Sequence, residues 1–136
     1  MSDITGTDLQ TVVFQLGRDF YGVDLFRVNE IIRVPEISSE ATEGQANLRG
    51  NWIPILDLKA QLLLGASVES DRTRIIILAG AEGAVGLLVD AVCEVITLTA
   101  SEIEELPTEE TDFKKGVARH HADIITILDL DKVLAA

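Results

Sequence analysis

The chain repeats itself, and the repeat limits what it can fold into. Tyr21-Gly22-Val23 aligns with Val85-Gly86-Leu87 at an offset of 64 residues. At that offset Val28 meets Val92, Glu30 meets Glu94, Ile31-Ile32 meets Val95-Ile96, and Val12-Val13-Phe14 falls on Ile76-Ile77-Leu78. Further along, the offset becomes 72: Gly44 meets Gly116, and Ile55-Leu56-Asp57-Leu58 meets Ile127-Leu128-Asp129-Leu130. The change of 8 is one loop-length difference, Ile32–Glu43 against Ile96–Lys115. Halves of about 60 residues are each marginal as independent folds. A shared interface solves that, and it leaves a groove between the halves of the kind where ligands and partner segments bind.

The halves read as strands. Short aliphatic, often β-branched runs are bounded by Gly, Pro, Asp or charges: Thr11–Leu16, Phe20–Leu25, Asn29–Val34, Asn51–Leu58, Arg74–Leu78, Ala84–Val89, Glu94–Leu98 and Asp123–Leu130. Several are continuous rather than alternating, which fits strands covered on both faces in a small closed barrel. Gly17–Asp19 and Gly80–Gly83 have hairpin-turn chemistry. Helical turns are predicted at Leu58–Leu64, Ala100–Leu106 and Leu130–Leu134, the second capped by Thr99 or Ser101. The expected fold is mainly β, two pseudo-repeated five-stranded barrels near residues 10–66 and 67–136 with a few short helices. A terminal strand can cross over between the barrels.

Charge narrows the function. Acids outnumber bases 23 to 11, for a formal charge of −12 in 136 residues. Phosphate backbones and anionic lipid need positive patches, so neither nucleic acid nor membrane is an expected partner. The polar first residues do not read as a signal peptide, and no apolar run reaches the ~18 residues of a membrane span. The expectation is a soluble, cytoplasmic protein.

Catalytic signatures are missing. There is no G-x-S-x-G, Walker A, G-x-G-x-x-G or H-E-x-x-H. His120 and His121 are adjacent, so on a strand they point to opposite faces; a solvated turn pair is the simpler reading. Cys93, the one cysteine, lies among apolar residues and acids, which reads as structural rather than nucleophilic. Asp57 and Asp129 could hide an acid–base pair, but equivalent repeat positions favour carboxylates that satisfy turn amides. Asp24 and Asp90 read the same way. Glu102–Asp112 holds six acids in eleven residues and reads as a solvated loop, available to a basic partner surface. No enzyme, metal or cofactor is expected.

Asn47-Leu48-Arg49-Gly50 stands apart. An Arg-Gly turn leading into Trp52-Ile53-Pro54-Ile55-Leu56-Asp57-Leu58 presents a guanidinium on a rigid element. The second half has no arginine at the equivalent position, so the repeat does not require one. Arginine anchors interfaces and pairs bidentately with carboxylates. Arg49 is therefore either an interaction anchor or a structural partner for a nearby acid or carbonyl.

The chain resembles the CheW family, the coupling proteins of bacterial chemotaxis arrays. The likeness rests on Val12–Leu16, on Tyr21 through Ile32, on Asn47–Leu58 with its Asn-Leu-Arg-Gly turn, on Val85–Val92, and on Gly116 through Leu134. It implies one CheW-like domain over 10–136 made of two SH3-like subdomains around a hydrophobic groove. It implies a non-catalytic adaptor that bridges a chemoreceptor tip, a helical hairpin, to a histidine kinase whose regulatory domain has the same fold. By position, the resemblance assigns receptor binding to Leu25, Val28, Glu30 and Arg49, with Ala84, Val85 and Leu87 as weaker candidates. Such a tip needs an apolar slot for its i, i+3, i+4 anchors, plus polar groups that fix orientation. The plain alternative is that Leu25 and Val28 are core and that Glu30 pairs with Arg49 within the chain.

The Val34–Gly44 loop is shorter than in the family and holds only Pro35. Gln45 and Ala46 replace larger aliphatics, and Trp52, larger than usual, is either core filling or an exposed partner anchor. The other functional class is a CheW-like module of another pathway, in pilus motility or gene regulation, or a kinase-sequestering spacer.

Overall fold

The structure, a computed structural model, describes residues 8–33, 45–62, 64, 70–80, 83–105 and 113–135. In chain order the elements are β1 (Leu9–Leu16), β2 (Asp19–Asp24), a 3-10 turn (Leu25–Arg27), β3 (Val28–Arg33), β4 (Gln45–Leu48), β5 (Asn51–Asp57) and α1 (Leu58–Gln61). There follow β6 (Arg74–Gly80), β7 (Gly83–Val89), β8 (Ala91–Leu98), a 3-10 turn (Ala100–Glu102), β9 (Ile103–Glu105), β10 (Lys114–His120), β11 (Asp123–Leu128) and α2 (Leu130–Ala135).

These elements form two compact units. One is Arg27–Val92; the other joins Met1–Phe26 to Cys93–Ala136. The units are not the sequence halves 10–66 and 67–136. A cut at 66/67 falls inside the first unit, and the exchange involves a whole hairpin rather than one terminal strand. The continuous unit holds the sheet β3-β6-β7-β5-β4, in which the second half's β6–β7 hairpin lies between first-half strands. The split unit holds β8-β1-β2-β11-β10-β9, in which the first half's β1–β2 hairpin lies between second-half strands. Apart from β9, the two sheets have the same order, with β8, β1, β2, β11 and β10 standing where β3, β6, β7, β5 and β4 stand.

The exchange rests on two parallel junctions. Phe20, Tyr21 and Gly22 of β2 pair with Ile125, Thr126 and Ile127 of β11. Ile55, Leu56 and Asp57 of β5 pair with Gly86, Leu87 and Leu88 of β7. Gly22 and Gly86 are the aligned glycines of the repeat, and each faces the aligned isoleucine of the Ile-Leu-Asp-Leu motif. A Cβ on Gly22 would lie 2.5 Å from Thr11 Cγ2 and 3.2 Å from Ile127 Cδ1. One on Gly86 would lie 2.6 Å from Ile55 Cδ1 and 2.7 Å from Ile75 Cγ2. Neighbouring chains come this close only where no side chain intervenes.

Each unit has a core of its own. Ile32, Ala46, Leu48, Ile53, Ile75 and Ile77 cluster in the continuous unit. Val13, Ile96, Leu98, Ala118, Ile125 and Ile127 cluster in the split one. Asp57 caps α1, its Oδ1 accepting from the Lys59 and Ala60 amides at 3.1 and 3.3 Å. Asp129 does the same for α2, accepting from the Lys132 amide at 3.2 Å. The turn-amide reading of this repeated aspartate is correct.

The expected strands are all present, with ends shifted by a few residues. Three more were not predicted. β4 and β10 are rich in Gln, Asn, Lys and Arg and lack an aliphatic run. β9 occupies the second half's longer loop and makes that sheet six-stranded rather than five. The helix expected over 100–106 stops at Glu102, and Ile103–Glu105 pairs with β10 instead. The Thr99 amide donates to Glu102 Oε1 at 2.9 Å, closing the short turn. The turns expected at Gly17–Asp19 and Gly80–Gly83 join the two hairpins, although 81–82, like the Val34–Gly44 loop, lie outside the described residues.

Gly22→Ala and Gly86→Ala test the junctions. Each forces a methyl into a filled space and is expected to cost about 1–3 kcal/mol in urea unfolding. Unchanged midpoints would mean that the junctions tolerate a side chain.

Candidate functional site

The Arg-Gly turn connects β4 to β5 as a two-residue hairpin loop, with Leu48 opposite Asn51. Both central residues have positive φ, 52° at Arg49 and 90° at Gly50. That is the requirement of a type I′ turn, which matches the twist of the flanking strands. Asn47 Oδ1 accepts the Gly50 amide at 2.9 Å and fixes the turn from inside. Glycine or asparagine is the usual first residue of such a turn; arginine there is under backbone strain.

The guanidinium is held as firmly as the backbone. Arg49 Nη2 and Nη1 donate to Glu30 Oε2 and Oε1 at 2.5 and 3.3 Å, a two-point fork. The side chain nevertheless stays 67% exposed. The hydrogen bond from Arg49, reinforced by its charge, lowers the Glu30 pKa, and Glu30 raises that of Arg49. The sequence left open whether Glu30 pairs within the chain or with a partner; the structure pairs it within the chain.

A bulge separates Glu30 from Val28. Val28 lies opposite Leu78, while Glu30 lies opposite Ile77, with the register slipping between them. Residues directly opposite share a face, and Leu78 and Ile77 are neighbours on one strand. Val28 and Glu30 therefore project from opposite faces of the sheet. Val28, Leu78 and Val85 form one row across three strands, with Leu78 fully buried and the other two half-buried. Ala84 packs against the core on the Glu30 side.

Two of the expected receptor-facing residues, the weaker candidate Leu87 and the main candidate Leu25, stand apart from these sets. Leu87 is fully buried, opposite Ile76 and Leu56, so it supports the surface from below and presents nothing on it. Leu25 belongs to the split unit, half-buried in its 3-10 turn, where Asp24 Oδ1 accepts the Phe26 amide at 2.9 Å. The structure thus joins Glu30 to Arg49 and Val28 to Val85, as two sets on opposite faces.

Other expectations divide. Cys93 is exposed on β8, not a buried structural thiol. Cys93, Glu94 and Val95 are all exposed in succession, so its apolar neighbours in sequence do not cover it. The His120 and His121 rings lie 4.2 Å apart, tilted by 59°, at the β10–β11 turn, with His121 at φ 57°. No group of three metal-ligating side chains occurs among the described residues. No described helix is long and apolar enough to cross a membrane.

Sequence reasoning missed a pattern in the exposed apolar residues. Trp52 and Ile124 are 53% and 57% exposed, and they stand at the offset of 72. Ile31 and Val95, 38% and 51% exposed, stand at the offset of 64. The signal was present in the aligned halves: both members of each pair are apolar on strands whose neighbours fill the core.

The chain and its fold are similar to known proteins. A model of the CheW-like domain matches residues 10–136. The chain belongs to the CheW-like family. It is 32% identical over 138 residues to the chemotaxis protein CheW of Bacillus subtilis, covering 94% of this chain and 88% of that one. Identity to the CheW of Klebsiella aerogenes is 29% over 134 residues, covering 92% and 81%. Among solved structures, the scaffolding protein TtCheW of Thermoanaerobacter tengcongensis superposes with a TM-score of 0.74 at 37% identity, covering 89% of this chain and 88% of that one. The CheW-like fold here is mainly β with two SH3-like subdomains, as in that neighbour, and the family is one of chemotaxis scaffolds and adaptors rather than catalysts.

The Glu30–Arg49 fork has a titration signature. Its stabilising effect is fully present above the unfolded-state pKa of Glu30 and is lost as pH falls through the lower folded-state value. In Arg49→Gln, the Glu30 carboxyl followed by carbon NMR is expected to titrate at higher pH than in the parent. An unmoved titration would mean that the fork does not persist in solution.

Proposed function

We propose that this protein is a non-catalytic cytoplasmic adaptor that couples chemoreceptor tips to the regulatory domain of a histidine kinase. The observation that carries this reading is the Arg49 turn. An exposed ion pair contributes little to stability, and asparagine or glycine would make the same turn without strain. Stability alone does not account for an arginine there. A preorganised, solvent-facing fork is what a docking helical hairpin needs for orientation, because the ordering cost is already met in the free protein. Val28 and Val85 lie on the opposite face of that sheet, so they and Leu25 enter the receptor reading only through the resemblance to the family. The kinase regulatory domain, sharing this fold, is assigned to the exposed pairs Trp52/Ile124 and Ile31/Val95: a partner with the same repeated patches can meet them in kind.

Arg49→Asn tests the receptor side. It keeps the turn and removes the fork. Its melting temperature is expected to equal or exceed the parent's, while affinity for a receptor-tip hairpin in titration calorimetry falls about tenfold or more. A clear loss of melting temperature would make Arg49 structural. Unchanged receptor affinity would remove it from the docking site. Binding of the parent to the kinase domain alone would leave a kinase-side spacer as the reading.

Trp52, the one tryptophan, tests the kinase side. Its emission is expected to shift to the blue when kinase regulatory domain is added and to stay put with receptor tip. A complex that forms with no shift would place the kinase surface elsewhere.

A further inference from the structure

At the other end of β3 from Val28, two arginines face each other. Arg33 lies directly opposite Arg74 of β6. Side chains in that relation project from one face with Cβ atoms about 5 Å apart, and like charges so placed are unfavourable. Neither has a carboxylate partner among the described residues, nor does exposed Arg72 in the turn before β6. A chain with a charge of −12 and only eleven basic residues thus sets Arg33 and Arg74 side by side with no carboxylate partner among the described residues.

The site is built rather than incidental. Arg74 Nη1 donates to the Asp71 and Thr73 carbonyls at 2.8 and 2.9 Å, which fixes the plane of its guanidinium. The turn beneath is tied by the Ser70 amide to Thr73 Oγ1 at 2.8 Å and by the Arg72 amide to Ser70 Oγ at 3.1 Å. Nε and Nη2 of Arg74 keep three donors with no acceptor among the described residues. A lone charge on an edge strand guards against unwanted pairing. That role explains Arg33, since β3 ends its sheet, but not a second, anchored arginine on the inner strand β6. Ile31 shares the face of Arg33 and is exposed beside it.

We propose that Arg33 and Arg74 form a carboxylate-binding site for an acidic peptide segment of a protein partner, laid next to Ile31 along β3, the end strand of its sheet among the described residues. Two guanidinia on one face match successive carboxylates of an extended chain. The overall negative charge disfavours long polyanions such as nucleic acid, while a short acidic segment within a Debye length of about 8 Å sees mainly the local arginines. The proposal does not depend on the adaptor reading: it uses neither Glu30 nor Arg49, and Ile31 is the one residue it shares with the proposed kinase surface.

Hexaglutamate peptide and inorganic phosphate are the probes, titrated into the 15N-labelled protein with the arginine Nε–Hε and β3 amide signals followed. Hexaglutamate is expected to shift Arg33 and Arg74 saturably, more weakly at 0.5 M salt. Arg33→Glu is expected to reduce that affinity about tenfold. It places a carboxylate opposite Arg74, so its melting temperature is expected to hold or rise; Arg33→Gln provides a second folded variant. Arg18→Glu, in the β1–β2 turn, is the control and is expected to leave binding within about twofold, since it lies outside this patch. The proposal falls if hexaglutamate gives no saturable shift, if Arg18→Glu weakens binding as much as Arg33→Glu, or if phosphate binds as tightly as the peptide.

Discussion

The architecture depends on two places where a strand from one half of the repeat runs parallel to a strand from the other with nothing between them. At each, a glycine pairs with an isoleucine whose side chain occupies the place a Cβ would take, Gly22 with Ile127 and Gly86 with Ile55. Hydrogen bonding alone would not need glycine. What needs it is the depth of contact, because Thr11 and Ile125 on one side, and Ile75 and Ile77 on the other, also fill the space where a Cβ would stand. These junctions hold a foreign hairpin inside each sheet.

The proposed docking surface follows from that frame. Because β7 lies beside β5, the β4–β5 hairpin sits at the far edge of its sheet, and its tight loop carries Arg49. On the opposite edge, the slip in register within β3 turns Val28 and Glu30 to different faces. One short strand thereby supplies an apolar contact to one side and an ionic one to the other, then ends in the Arg33 corner. The paired and clustered ionic groups of this unit lie where strands end or slip. The middles of strands are used for packing.

The sequence was most legible where burial dictates residue type. The aliphatic runs, the repeat, both helix-capping aspartates and the Arg-Gly turn all follow from periodicity and turn chemistry. β4, β9 and β10 were not legible, because strands partly exposed and polar have no hydrophobic pattern to read. The partnering of halves was not legible either. An aligned repeat says which residues are equivalent, but it is silent on whether a hairpin pairs with its own half or the other. Glu30 shows the same limit at the site: its spacing from Arg49 is consistent with a partner in the chain or outside it, and only the fold brings the two together. Leu87 and Cys93 went wrong in opposite directions, since position in a motif does not specify which face of the strand is covered.

The permuted layout of the two units also bears on how the chain is made. The continuous unit, Arg27–Val92, has all its strands in one uninterrupted stretch. The split unit does not. Phe20 must wait for Ile125, a separation of 125 − 20 = 105 residues. At about 5–20 residues per second of synthesis, the first hairpin spends roughly 5–20 s without its β11 neighbour. During that time β1 and β2 carry Val12, Phe14, Tyr21 and Val23, all destined for burial, with the outer edge of the hairpin unpaired. The interleaving that knits the halves together is therefore also the step at which the nascent chain is most exposed to chaperones and to its own neighbours.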